Sequence, residues 1–233
     1  MTEFEKQFHE VQELLEFNDF NQTIKRVIDF TLDSENIEFY IKTNEFLNWL
    51  DHNEKEDEDK KTRLKALLDE LHAFLSKKEC HNHQTIISVK NLQKVYNASF
   101  GLGPINLDIK TGEIIGLVGE NGNGKTTLLR SLCGELHPTS GTINYQFQYD
   151  DLYDLRTKLV YIPQRTDTWR GSMYENLEFT ASCYGYSPEE NNLVVDLVIT
   201  RLGLRKFRKH YWNNLSSGYK MRFELARMLL RKP

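Results

Sequence analysis

Gly119-Glu120-Asn121-Gly122-Asn123-Gly124-Lys125-Thr126-Thr127 is the stretch that decides the fold. An apolar run, Glu113-Ile114-Ile115-Gly116-Leu117-Val118, leads into it, and Leu128-Leu129-Arg130-Ser131-Leu132 leads out. The pattern is G-x-x-x-x-G-K-T between a predicted buried strand and a predicted amphipathic helix, the context a phosphate-binding loop requires. Glycines at 119, 122 and 124 let the backbone curl so that its N–H groups converge on phosphate oxygens. The N-terminus of the following helix adds partial positive charge at the same place. Lys125 is expected on the β- and γ-phosphates and the Thr126 hydroxyl on Mg²⁺, with Asn121, Asn123 and Thr127 completing the loop. An N-K-x-D element for guanine is absent from the sequence, so the loop by itself names no base.

Working outward, the chain before residue 100 has a different texture. All 13 glycines and all 5 prolines come later, the first being Gly101 and Pro104. Residues 1–84 carry 20 acidic and 11 basic side chains, whereas residues 85–233 carry 14 and 19, so the formal net charge of −4 joins two unlike halves. A segment without helix breakers and rich in strong helix formers favours helix. Leu64, Leu67, Leu68, Leu71 and Leu75 form one helical stripe, as do Phe4, Phe8, Val11 and Leu15. Ile24, Val27, Ile28 and Thr31 form another, and Ile37, Tyr40, Ile41, Phe46, Leu47 and Leu50 a third. Asn18, Asp33 or Ser34, and Asn53 fall where caps and short turns belong. The expectation is an acidic helical segment of three or four helices over 1–84, followed by a second domain over 85–233. The acidic run Glu54–Asp59 reads as a solvated helix start. Cys80-His81-Asn82-His83 reads as linker, because structural zinc needs four ligands and no second such cluster is present.

The overall composition, 39% apolar and 27% charged, is that of a water-soluble globular chain. No apolar run approaches the roughly 20 residues of a membrane span. The acidic start MTEFEKQFHE lacks a secretory pattern. Three scattered cysteines argue for a reducing compartment and against a disulfide framework. Secreted and membrane-spanning readings are thereby excluded.

The residues around the loop resemble the nucleotide-binding domain of ATP-binding cassette (ABC) ATPases. Tyr96, in Leu92-Gln93-Lys94-Val95-Tyr96, stands where the family places an aromatic residue that stacks on adenine. A tyrosine ending a strand is ordinarily a core residue; its distance from Lys125 is what moves it to the site. Pro138-Thr139-Ser140-Gly141-Thr142-Ile143 is similar to the family's turn into the next strand. Lys158-Leu159-Val160-Tyr161-Ile162-Pro163-Gln164 fits a strand ending in the Q-loop, whose glutamine in the family reaches Mg²⁺ and the attacking water. Residues 165–214 then read largely as helices, including 174–179 and 192–202, and correspond to the family's helical subdomain. Leu215-Ser216-Ser217-Gly218-Tyr219 occupies the place of the L-S-G-G-Q signature. Ser217 departs from glycine there and Tyr219 from glutamine.

What the resemblance implies is an α/β fold: an ABC-type P-loop NTPase with an antiparallel β subdomain and a helical subdomain, preceded by a small all-α segment. ATP and Mg²⁺ are the implied cofactors, with Lys125 and Gln164 catalytic and Thr126 and Gln164 on the metal. Tyr96, residues 119–127, Ser216, Ser217 and Gly218 are the implied nucleotide contacts. In the family, the strand ending in the Walker B aspartate and catalytic glutamate follows the signature helix. Residues 1–233 contain no such pair, so the chain reads as the front part of a longer cassette with the C-terminal strands missing, inactive by itself. The implied partners are a second nucleotide-binding domain, as a homodimer, and a separate integral membrane subunit. The chain would then be cytoplasmic, peripheral on the inner membrane face, without direct insertion.

The alternative function is a soluble ABC ATPase acting on nucleic acid, ribosome or protein complexes. Residues 201–232 carry ten basic side chains against the single acid Glu224, with Phe207, Tyr211 and Trp212 interleaved. The acidic first segment argues against general polyanion binding, so nucleic acid is not the expected partner. Transported substrate, direction of transport and the role of residues 1–84 are not encoded in these motifs.

Overall fold

Each of the first four helices forms where its stripe requires. In the computed structural model, which describes residues 2–52, 56–78, 84–97, 100–164 and 168–231, they are α1 (Glu3–Glu16), α2 (Phe20–Ser34), α3 (Ile37–Asp51) and α4 (Asp57–Leu75). Short polar side chains satisfy the N–H groups that a helix start leaves unpaired. Thr2 accepts from Glu5 N, Asp19 from Gln22 N and Asn36 from Glu38 N, at 3.1, 3.1 and 2.8 Å. α4 lacks such a side-chain cap, but Asp57, Glu58 and Asp59 in its first turn suit the positive end of the helix dipole. Asn53 and Glu54 lie outside the described residues, as do Cys80, His81, Asn82 and His83.

The leucine stripe of α4 is buried in full, and Phe8, Val11 and Leu15 of α1 are buried as well. Burying one such side chain contributes roughly 1.5–3 kcal/mol, which is how short helices with modest propensity stay folded. α3 departs in detail: its core face is Phe39, Tyr40, Thr43, Phe46 and Leu47, and Ile41 turns outward. In the core between α2 and α3, the Thr31 and Thr43 hydroxyls meet at 2.8 Å, and Thr31 also bonds the Val27 carbonyl.

Three further helices belong to the same unit: α7 (Met173–Cys183), α8 (Pro188–Arg201) and α9 (Ser217–Leu230). α7 and α8 open with capping boxes, Ser172/Glu175 and Ser187/Glu190, which start α8 four residues earlier than the apolar spacing suggests. α8 buries Asn191, Val194, Val195, Leu197, Val198 and Ile199, more of its circumference than one stripe. A helix apolar on most sides must be covered on most sides. α7 and α9 pack on it, and so do α2 and α3 from the acidic segment.

The two compact units therefore do not follow the expected boundary at residue 84. One comprises residues 1–79 and 164–232, the other 80–163. The chain leaves the helical unit near the anticipated boundary and re-enters it at Gln164, because α8 supplies the apolar surface that α2 and α3 need. Polar contacts fix the same docking. Asn44 Nδ2 donates to the Leu193 carbonyl at 3.1 Å, Arg201 pairs with Asp29, and Arg205 pairs with Asp51 at 2.7 Å. Two cations of the basic stretch 201–232 are thus matched by acids of the first segment, which gives the charge division a structural reason.

The second unit is a three-stranded antiparallel sheet of order β2-β1-β3, with β1 (Thr85–Asn97), β2 (Phe100–Lys110) and β3 (Ser140–Tyr145). β1 is continuous over these residues but broken by a bulge at Asn91 (φ 49°). Ile87, Val89 and Leu92 of β1 form a small core with Leu128 and Leu132 of α5 (Lys125–Leu132). The last helix of this unit, α6 (Leu152–Lys158), starts on Asp151, whose carboxylate accepts from Tyr153 N and Asp154 N.

Two expected strands are not formed. Residues 113–118 and 159–163 belong to no helix or strand, and Ile114 and Val118 are 98% and 100% exposed. A strand exists through its neighbours, since its N–H and C=O groups pair laterally. Among the described residues no segment pairs with either run; Ile114 and Val118 stand in solvent, whereas residues 159–163 are half-buried, with Leu159 against the small core.

Candidate nucleotide site

The glycine-rich loop ends in the turn that the motif requires. Gly124 is the N-cap of α5 with φ 79°, a left-handed conformation. A Cβ there would also fall 2.7 Å from Leu102 Cδ1. Asn123 N donates to the Glu120 carbonyl at 3.3 Å and Leu128 N to the Gly124 carbonyl at 2.9 Å, closing the loop onto the helix. The Lys125 ammonium lies inside the curl and donates to the carbonyls of Gly119 and Glu120, at 2.6 and 2.8 Å. An ammonium has three protons, so two are committed to holding the loop. The loop carries one acid, Glu120, and one cation, Lys125, and it ends on a helix N-terminus whose first turn contains no acid.

Tyr96 reaches this point from the end of β1. Its hydroxyl lies 3.3 Å from Thr127 Oγ1, and about half of the residue's surface is exposed. Lys94 is a residue that sequence reasoning missed. Its ammonium donates to the His137 carbonyl at 2.8 Å and lies 5.8 Å from the centre of the Tyr96 ring. The available signal was its i, i+2 spacing to Tyr96, which places both side chains on one face of a strand. The turn before β3 completes this corner: Thr139 N donates to Gln93 O, and Val95 N donates to Thr139 Oγ1.

Tyr96, Gly119, Asn121, Gly122, Asn123, Gly124, Lys125, Thr126 and Thr127 are all in the sheet-containing unit. This donor set fits a nucleotide: N–H groups and an ammonium for phosphate, hydroxyls at Thr126 and Thr127 for a magnesium shell, and an exposed aromatic face for a base.

Gln164, Ser216, Ser217 and Gly218 fall in the helical unit. Gln164 is exposed at a bend, and residues 165–167 are outside the described set. Ser216 is the N-cap of α9, with extended φ and ψ of −67° and 161°, and its side chain makes no capping bond. Ser217 and Gly218 form the exposed first turn. A helix start without its own cap presents N–H groups suited to an anion. Tyr219, the departure from glutamine, packs its ring on Phe207, with centroids 3.9 Å apart, and carries the Arg222 guanidinium at 5.5 Å.

The profile of the family described as ABC transporter matches residues 102–233, more than half of the chain. The chain belongs to the ABC transporter family. The methionine import ATP-binding protein MetN 1 of Acinetobacter baylyi is 35% identical over 159 residues, 63% of this chain and 44% of MetN 1. The zinc import ATP-binding protein ZnuC of Haemophilus influenzae is 31% identical, over 65% of this chain and 52% of ZnuC. A solved structure of CbiO1 from Clostridium perfringens, described as part of the ABC transporter complex cbiONQ, superposes with TM-score 0.56 at 29% identity. That superposition covers 64% of this chain and 62% of CbiO1. The ABC-type P-loop NTPase fold follows. The chain spans about half the length of these curated relatives, and residues 1–101 lie outside the family match. No helix among the described residues is long and apolar enough to cross a membrane.

Proposed function

We propose that this ABC-family chain is the ATP-binding subunit of a transporter whose membrane-spanning part is a separate polypeptide. The observation that carries the reading is the Lys125 ammonium held inside the 119–124 curl, with Tyr96 beside the start of α5. Lys125 binds the β- and γ-phosphates, the loop N–H groups surround them, and Tyr96 stacks on the base. Thr126, with Gln164 as the family resemblance implies, would hold Mg²⁺, which would supply neutralisation of phosphate charge. Ser216, Ser217 and Gly218 of one protomer meet the phosphates held by residues 119–127 of a second copy, and Gln164 orients the attacking water. The chain is then peripheral on the cytoplasmic face of the membrane.

The soluble reading has less support, since Arg201, Arg205 and Arg227 of the basic stretch are engaged by Asp29, Asp51 and Glu224.

Calorimetric titration of MgATP into wild type and Lys125→Ala tests the site. Binding should fall by about a hundredfold, consistent with losing a charge-assisted contact of 1.5–3 kcal/mol. Equal affinity of the two proteins overturns the assignment. Co-expression with the integral membrane subunit should bring the chain into the membrane pellet; a chain that stays in the supernatant overturns the transporter reading.

A further inference from the structure

One face of α9 holds two tryptophans that arrive from different segments. Lys220, Glu224 and Arg227 are spaced to share that face. Trp169, buried, comes five residues after Gln164; Trp212, also buried, comes three residues before Leu215 and leads into Ser216. The indoles stack, with ring centroids 5.1 Å apart and 19° between planes. Each indole also carries a cation from α9. Lys220 Nζ lies 5.5 Å from the Trp212 ring and the Arg227 guanidinium 5.3 Å from the Trp169 ring. Phe223 meets Trp169 edge-on at 6.3 Å.

Glu224 makes this arrangement more than packing. It is 2% exposed, and a buried carboxylate is tolerated only when its charge and lone pairs are engaged. Trp169 Nε1 donates to one carboxylate oxygen at 3.1 Å, and Arg227 pairs with the other at 2.6 Å. The indole N–H therefore serves a buried charge on α9, so moving Trp169 away removes one of that charge's hydrogen-bond donors. Backbone bonds join the same two segments: Met173 N donates to His210 O at 3.0 Å, and Tyr174 N to Arg208 O at 2.9 Å.

We propose that Trp169 is a positioning residue. It ties residues 168–171, shortly after Gln164, to the middle of α9 through Glu224 and, through the stacked Trp212, to the turn that leads into Ser216, so that a displacement at either is passed to the other. The functional value of this link rests on the reading that Gln164 and Ser216–Gly218 respond to nucleotide.

Amide hydrogen exchange on the full chain tests it without requiring turnover. Trp169→Phe keeps an aromatic ring and removes the N–H. Exchange should accelerate about tenfold in both 168–176 and 211–219, the size expected for losing a hydrogen bond to a charged group. Residues 2–52 and 119–132 should be unchanged. Glu224→Leu should behave like Trp169→Phe, the double variant should add nothing further, and Glu224→Gln, which retains an acceptor oxygen, should recover most of the protection. A response in one segment alone, additive effects, a general loosening of α1–α4, or Glu224→Gln no better than Glu224→Leu would each overturn the link. Titration with MgATP separates the two readings. Loss of Lys125-dependent binding sinks the nucleotide reading while exchange still tests the link; normal binding with independently exchanging segments sinks the link alone.

Discussion

Asp29 receives Arg201 through both carboxylate oxygens, Nε at 2.6 Å and a terminal guanidinium nitrogen at 3.0 Å, across 172 residues of chain. Both side chains are less than one-third exposed. Such a two-bond arrangement is geometrically selective in a way a surface ion pair is not. It joins α2 to the end of α8 and makes the acidic segment part of the helical unit. Within that unit, the family-matched helices α7–α9 and the segment outside the match share one apolar core.

Breaking this pair should therefore loosen the whole helical unit. Arg201→Met is expected to destabilise it by roughly 2 kcal/mol, because the Asp29 carboxylate stays behind half-buried with its bidentate partner gone. Asp29→Asn should cost about half as much, since an amide oxygen still accepts one bond. Urea unfolding followed by helical circular dichroism gives both values, and a double-mutant cycle isolates the coupling. A coupling indistinguishable from zero would show that apolar packing alone holds α2 on α8.

The helices of residues 2–75 were legible because a leucine every third or fourth residue has one physical outcome, as α4 shows. The loop at 119–127 was legible for a similar reason: few backbones other than a phosphate cradle need those glycines and that lysine. The unformed strand at 113–118 was not, since Ile114 and Val118 announce burial whether or not a neighbouring strand is present to bury them. The division of the chain into units was also hidden. Nothing local to Asp29 or Arg201 reveals that they meet, and the opposite charges of their segments hinted only at attraction.

Tyr96 should control affinity through its ring rather than its hydroxyl. Tyr96→Ala is expected to weaken MgATP binding by about 1–3 kcal/mol, the range for a base stacked on an aromatic side chain. Tyr96→Phe keeps the ring and removes the hydroxyl that contacts Thr127, so its dissociation constant should remain within about threefold of wild type. Calorimetry on the two variants decides between ring and hydroxyl. An alanine variant binding as tightly as wild type removes Tyr96 from the site.

Gly141 and Gly122 separate backbone conformation from space. Both have positive φ, 83° and 90°. A Cβ at Gly141 would stand 2.3 Å from the Asn91 carbonyl oxygen and 2.6 Å from that of Lys90, whereas one at Gly122 would meet nothing within 4 Å. Gly122→Ala should cost about 1 kcal/mol for the left-handed conformation alone. Gly141→Ala should cost several kcal/mol, because the β1–β3 ladder itself must shift. Unfolding of the sheet-containing unit without nucleotide measures both, and equal losses would mean the bulge at Asn91 yields easily.

Asp196 sets a pH dependence with a definite sign. Burial pushes its carboxyl above the ordinary value of 3.8, although Arg208, Arg205 and a hydrogen bond from Tyr174 act in the opposite direction. One of its oxygens, Oδ1, is buried without a hydrogen-bond partner among the described residues. Below pH 3.8 the carboxyl is neutral in both folded and unfolded chains and imposes no ionisation penalty. As pH rises past that value, the unfolded chain ionises first, and the folded state loses stability until the raised value is passed; the loss is then complete. Asp196→Asn, which stays neutral, should stabilise the helical unit near pH 7, where wild type bears the penalty of ionising a half-buried carboxyl. That advantage should shrink as pH falls and vanish near pH 3. Urea midpoints for the two proteins at pH 3, 5 and 7 provide the check. An advantage unchanged across that range would assign the gain to packing instead of charge, and a less stable variant at pH 7 would mean that Arg205 and Arg208 outweigh burial.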